Sequence, residues 1–355
     1  MLKSKKFKMA ALMLSCIMVG TSFTGCGNKQ EKPVLNFINY GENIGDGVLE
    51  EFEEKYGIHV NQEVYDAPEE MYNKVSAGAS QYDVIVSIDY LVQRMIQEGR
   101  LEKINFENVP NMSMIADDHL GKTFDPNNEY SVPYMSGTIG ICYNTDYVDE
   151  PIDSWTALWD TKYQKNVLLL DGVRDSLGAT LKMLGYSLNT TNPDEINKAR
   201  DKLIELKKNG NLLAIGSDDN TDKMARGEAA LSILWSGEGL NLEEEYDNIK
   251  YVVPKEGANF WIDSLCIPKG TQNKENAEKF INFLCETDPA YKTADQIGFT
   301  TPQSEARELQ DDSVKNNPNA YMTPEVLEKC ESYEYLGDKL KLYEQAWTDF
   351  KDYRE

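Results

Sequence analysis

From residue 34 onward, short aliphatic runs alternate with amphipathic helical segments, and this alternation restricts the fold more than any other feature of the chain. Residues 34–38 read as a strand. Asp46 is placed to cap a helix whose apolar residues Val48, Leu49, Phe52 and Tyr56 share one face, and Gly57 is placed to end it. Residues 58–65 alternate as a strand, 68–77 have helical spacing, and 84–86 form a short, wholly apolar run. A strand-helix-strand-helix-strand order of this kind builds a parallel sheet covered on both faces.

The pattern then restarts. Strands are expected at 140–143 and 167–170. Asn192-Pro193-Asp194-Glu195 opens a helix with proline at its first position and acids against its dipole. Ile196, Ala199, Leu203 and Leu206 line its inner face, and Asn209-Gly210 closes it. Further strands are expected at 212–215, 230–234 and 251–253. Residues 260–267 read as a return strand ahead of a helix carrying Ala277, Phe280, Ile281 and Leu284. The fold class is therefore α/β, two hinge-connected lobes with mostly parallel sheets. The expected division is 34–139 plus 262–306 for one lobe and 140–261 plus 307–355 for the other. Ligands of such sheets bind at the carboxyl ends of strands.

The N-terminus bears on location. Lys3, Lys5, Lys6 and Lys8 precede an apolar run over 9–20, and Thr24-Gly25-Cys26 follows. That order is a secretory signal over 1–25. A cysteine at the cut is the position for lipid attachment, with 26–33 as anchor and tether. The run is too short to span a membrane, and a buried N-terminal helix would not suit four lysines. The expected location is outside the cell membrane, lipid-anchored and facing outward, or in the periplasm where an outer membrane is present. About 330 residues remain after the cut, enough for two domains.

The chain has 36 Lys+Arg against 60 Asp+Glu, a net charge of −24. An acidic surface repels nucleic acid and anionic lipid and attracts cations, although acidity also serves simple solubility. Cys142, Cys266, Cys285 and Cys330 are widely scattered, Cys16 falls in the leader, and the only histidines are His59 and His119. No spacing here matches a metal site or a cofactor motif, and none assigns a disulfide. Cys142 and Cys266 read as small apolar strand residues. Without GxSxG, and with two distant histidines, a Ser-His-Asp or Cys-His hydrolase has little support.

Rings and acids recur just after the expected strands. Asn39-Tyr40-Gly41-Glu42-Asn43 follows the first strand and Asp89-Tyr90 the third; Asp171-Gly172-Val173-Arg174-Asp175 follows 167–170, and Trp235 follows 230–234. Trp261 and Asp263 share a face of the return strand. An ammonium group donates hydrogen bonds to carboxylates and favours ring faces, while a methylene chain favours flat aromatic walls. Each residue also has a plainer reading: a tryptophan after a strand as core, an aspartate there as a turn or helix cap. Trp155, Trp159 and Trp347 read as packing residues. Rings with acids also suit sugars, so a binding protein for another cationic or neutral solute is the alternative. A glycosidase with paired carboxylates and an adhesin or sensor are further rivals.

At these residues the chain resembles the spermidine/putrescine-binding proteins of polyamine ABC transporters, over nearly all of its length after the leader. The resemblance is most specific at Phe124-Asp125-Pro126-Asn127-Asn128, Tyr130-Ser131, Pro133-Tyr134 and Ser154-Trp155 through Trp159. It continues at Pro254-Lys255-Glu256-Gly257, at Phe260-Trp261-Ile262-Asp263-Ser264-Leu265, and at Ile297-Gly298-Phe299-Thr300-Thr301-Pro302. It implies a type II periplasmic-binding-protein fold that closes on a linear polyamine and delivers it to an ABC permease with its ATPase. The implied protein is a monomer and not an enzyme.

Residue by residue, Tyr90, Trp235, Trp261 and Asp263 fall on family ligand contacts unchanged. Asp175 stands where the family often has Glu, and Tyr40 replaces a common Trp. Asn43 stands at a common Tyr, Ile88 at a common Ser and Phe299 at a common Tyr. Gly172 occupies the place of a family Asp, with Asp171 one residue earlier as a reserve, and Tyr333 lies near a family Gln. The surviving aromatic slot makes spermidine the first expectation and putrescine the second.

Overall fold

The first strand has two covered faces: Leu35 and Phe37 belong to one apolar cluster and Ile38 to another. The computed structural model describes residues 32–354 apart from 42, 79, 80 and 218. The expected leader, the lipidation candidate Cys26 and Glu42 lie outside the described residues. In order, the first half holds β1 (Val34–Tyr40), α1 (Val48–Tyr56), β2 (His59–Tyr65), α2 (Pro68–Gly78), β3 (Val84–Ile88) and α3 (Asp89–Gln97). The long β4 (Ser131–Asn144) follows. Then come β5 (Val167–Leu170), α4 (Val173–Met183), α5 (Pro193–Lys208), β6 (Leu212–Gly216), α6 (Asp219–Ala225), β7 (Leu231–Trp235), α7 (Ser236–Glu245) and β8 (Ile249–Val252). β9 (Phe260–Cys266) precedes α8 (Lys274–Leu284) and α9 (Thr287–Ile297), and the chain reaches a C-terminal helix, Leu340–Asp352.

The strands run in the order β2-β1-β3-β9-β4-β7-β5-β6, with β8 also on β4. β1 is parallel to β2 and β3, and β5 is parallel to β6 and β7, so the parallel expectation describes both flanks. The middle is antiparallel. β4 pairs with β9 over residues 131–138, then passes to β7 and β8 over 139–144. It therefore belongs to both groups of strands, and all 14 of its residues are buried.

Three apolar clusters hold these layers. Phe37, Val84, Leu265 and Phe280 cover one face of the first group, and Ile38, Ile85, Ile262 and Met95 the other. Leu168, Leu203, Leu234 and Trp347 belong to the third, around the second group. Helix ends follow their chemistry at α5, where the Asn192 side chain accepts from the Asp194 N–H and Pro193 occupies the first turn. At α1 the expectation is corrected. Gly47, in the left-handed region with φ of 81°, takes the cap position, and Asp46 instead bonds Gln296 through its N–H and Oδ1.

The strand expected at 140–143 starts nine residues earlier, at Ser131. Pro133 is accommodated because the register shifts between Pro133 and Met135, which spares a ladder donor. Trp155 and Trp159 are packing residues in a 3-10 turn, and their indole N–H groups donate to Gly257 O (2.9 Å) and Lys202 O (2.7 Å). The cysteines at 142, 266, 285 and 330 are free thiols.

Candidate functional site

β9 carries Asp263 in the centre of the first strand group, opposite Ile88 of β3 and Met135 of β4. Its side chain is buried (8% exposed) and has no hydrogen-bond or ion-pair partner among the described residues. Burial alone pushes its carboxyl up to about 7. Tyr65, at the end of β2, donates its hydroxyl to Val86 O at 2.9 Å. Burial raises the Tyr65 pKa, and the nearby Asp263, Tyr40 and Tyr90 raise it further. The Tyr40 ring lies 5.3 Å from that of Tyr65. The Tyr90 hydroxyl donates to Glu69 Oε1 at 2.8 Å, and the buried Tyr134 donates to Asn43 O at 2.9 Å.

Aromatic walls stand beside this acid. Trp261, two residues before Asp263 on the same strand, meets Phe299 edge-on, with ring centroids 5.1 Å apart at 82°. Phe299 in turn covers Gly237, where a Cβ would lie 2.2 Å from the ring. Trp235 ends β7 half-buried, in register with Ile139 and directly before α7.

Two further acids sit at helix starts. Asp89 opens α3 fully buried, accepting the Tyr90 N–H on Oδ1 (2.7 Å) and the Tyr333 N–H on Oδ2 (3.3 Å). Burial outweighs those two bonds and the nearby Arg174, and pushes its carboxyl up to about 8. Asp175 lies in the first turn of α4, where Oδ1 accepts the Tyr333 hydroxyl at 3.1 Å. Burial raises its pKa also, against the Tyr333 bond and Arg174. The other Asp175 oxygen lies across Gly172, where a Cβ would come within 1.9 Å of it.

The expected residues thus divide. Asp263, Tyr40 and Tyr90 gather around Tyr65, Asn43 meets Tyr134, Trp261 meets Phe299, and Gly172, Asp175 and Tyr333 form one unit. Asp171 turns elsewhere. Its Oδ1 accepts from Lys351 Nζ (3.0 Å) and Trp347 Nε1 (3.3 Å) on the C-terminal helix. Asp89, Tyr65 and Tyr134 were not among the expected contacts. For Asp89 the signal was its place directly after β3, and for Tyr134 its place in the Pro133-Tyr134 stretch of the resemblance; for Tyr65 there was none.

Spacing also gave no hint of an Asp118–His119–Ser136 chain. His119 Nδ1 lies 2.5 Å from Asp118 Oδ1, and Nε2 lies 2.8 Å from Ser136 Oγ. Ser136 is fully buried on β4 and bonded on to Thr300, so it presents no nucleophile. Among the described residues no cluster of His, Cys, Asp and Glu has the makings of a metal site.

The model for bacterial extracellular solute-binding proteins matches residues 47–323. The spermidine/putrescine-binding periplasmic protein of Escherichia coli K12 is 36% identical over 351 residues, which is 98% of this chain and 99% of its own. The spermidine/putrescine ABC transporter substrate-binding protein of Streptococcus pneumoniae superposes with a TM-score of 0.85 at 34% identity, covering 91% of this chain and 100% of that one. The TpPotD lipoprotein of Treponema pallidum gives 0.79 at 27% identity, over 89% and 99% of the two chains.

Proposed function

The chain belongs to the bacterial extracellular solute-binding protein family, and on that premise we propose that it captures a linear polyamine and hands it to an ABC permease. The relatives named for spermidine and putrescine cover almost its full length. It is a receptor and not an enzyme: the ligand arrives and leaves unchanged.

One observation carries the choice of ligand. Asp263 is a buried carboxylate without a partner among the described residues, and it lies near several rings. A buried charge of this kind is costly until a counter-ion arrives. An alkylammonium supplies the charge, and its methylenes suit the rings. A cation–π contact contributes roughly 0.5–2 kcal/mol, and a charge-assisted hydrogen bond roughly 1.5–3 kcal/mol.

In this reading Asp263 and Asp175 neutralise amines, while Tyr40, Tyr90, Trp235, Trp261 and Phe299 enclose the chain between them. The lobes are 34–139 with 262–306 and 140–261 with 307–355. A ligand that touches both favours the closed state, which the permease recognises. The protein acts as a monomer, held to the outer face of the cell membrane by lipid on Cys26.

Calorimetry on the full chain with putrescine, spermidine and spermine tests the class, with maltose and glutamate as controls. One-to-one saturation by a polyamine is the expected result. Silence with all three amines, after any co-purified ligand is removed, would refute it.

A further inference from the structure

Resting on the reading that the acids and rings hold an ammonium ligand, the geometry points to Tyr333 as the residue that limits ligand length, and to a diamine over a triamine. Three buried or half-buried acids converge here, and Tyr333 claims an oxygen of two. Its N–H donates to Asp89 Oδ2 and its hydroxyl to Asp175 Oδ1. Asp89 is fully buried and its second oxygen holds the Tyr90 N–H, so it presents nothing to a ligand. Among the described residues Asp175 keeps Oδ2, pressed over Gly172, and Asp263 keeps both oxygens.

The Tyr333 ring itself fills space. It is 5% exposed, and the Arg174 guanidinium lies 4.2 Å from its centroid. Arg174 is fixed there by Glu334 O (2.8 Å), Leu188 O (3.1 Å) and Asn189 Oδ1 (2.6 Å). A phenol backed by a fastened cation therefore closes the slot beyond Asp175.

Of these three acids that leaves two, Asp175 and Asp263, with an oxygen for a ligand ammonium group. A diamine satisfies both. A triamine brings a third ammonium to an end filled by a ring, with a like charge behind it. Burying that ammonium without an acid is costly. Leaving it in water forfeits the contact while the longer chain still loses its rotamer freedom.

The test is calorimetry on the full chain with putrescine, cadaverine and spermidine, repeated on Tyr333→Gln and Tyr333→Phe. The unaltered chain is expected to bind a diamine about tenfold or more tighter than spermidine, the scale of one charge-assisted contact. Tyr333→Gln keeps a donor but deletes the ring, and should tighten spermidine until the ratio falls to about threefold. Tyr333→Phe keeps the ring and should keep the discrimination. Equal or tighter spermidine binding by the unaltered chain overturns the assignment while leaving polyamine capture standing, and so does an unchanged ratio in Tyr333→Gln. Failure to bind any amine removes both. Should Tyr333→Gln not fold, the ranking by the unaltered chain still decides.

Discussion

Gly137 and Trp261 face each other across the antiparallel β4–β9 pair, and a Cβ on Gly137 would lie 2.3 Å from Trp261 Cζ2. The indole packs against bare backbone at the point where β4 passes from one strand group to the other. Its Nε1 has no hydrogen-bond partner among the described residues, so packing alone holds the ring. Gly137→Ala should push the indole and the Ser236 hydroxyl aside, at an overpacking cost of about 1–3 kcal/mol. Thermal unfolding reads this as a lower melting temperature, with weaker amine binding alongside. An unaltered melt would mean that the ring does not depend on this contact.

Asp263→Asn separates binding from stability. Removing the charge should weaken amine binding by about tenfold or more. The ligand-free chain should lose nothing at pH 8, because this buried carboxylate, without a partner among the described residues, destabilises the fold that holds it. Calorimetry and thermal unfolding on the same sample check both halves. Unchanged affinity would take Asp263 out of the site.

How much of this was legible depends on how local each signal was. β1, β5 and α5 follow from signals within a single segment, and the buried residues of α5, Ile196, Ala199, Leu203 and Leu206, are the expected ones. The first half of β4 was hidden, because Pro133 and Gly137 break a strand pattern for reasons set by β9 and Trp261. Asp171 and Asp175 both follow β5 and look alike in sequence. Only the start of α4 at Val173 decides that Asp175 meets Tyr333 while Asp171 meets Lys351. The Tyr333 contact with Asp89 spans 244 positions, and no local pattern encodes it.

That division gives a paired prediction. Asp171→Asn should leave amine affinity within about twofold, because the pair it forms with Lys351 is half-exposed and worth little. Gly172→Asp should weaken binding rather than add an acid, because the new side chain displaces the Asp175 carboxylate. A tighter amine complex in Gly172→Asp, or a large loss in Asp171→Asn, would reverse the roles given to these neighbours.

Amine binding should also depend on pH, with a sign fixed by the direction of the shifts. The folded Asp263 carboxyl titrates near 7, well above its ordinary range, because burial favours the neutral form. The folded, ligand-free state therefore holds this proton more tightly than the unfolded chain does. Its stabilising effect is full below about pH 4, where unfolded aspartate titrates, and is lost as pH rises through 7. Asp89, pushed to about 8, extends the same trend upward. A bound ammonium needs the ionised carboxylate, so affinity should move the opposite way. It should fall by up to about tenfold per pH unit below 7, as one proton is released for each amine bound. Calorimetry at pH 5.5 and 8 in buffers of differing ionisation enthalpy counts that proton directly. Asp263→Asn should flatten the dependence, and an equally steep profile in that variant would assign the proton to another group.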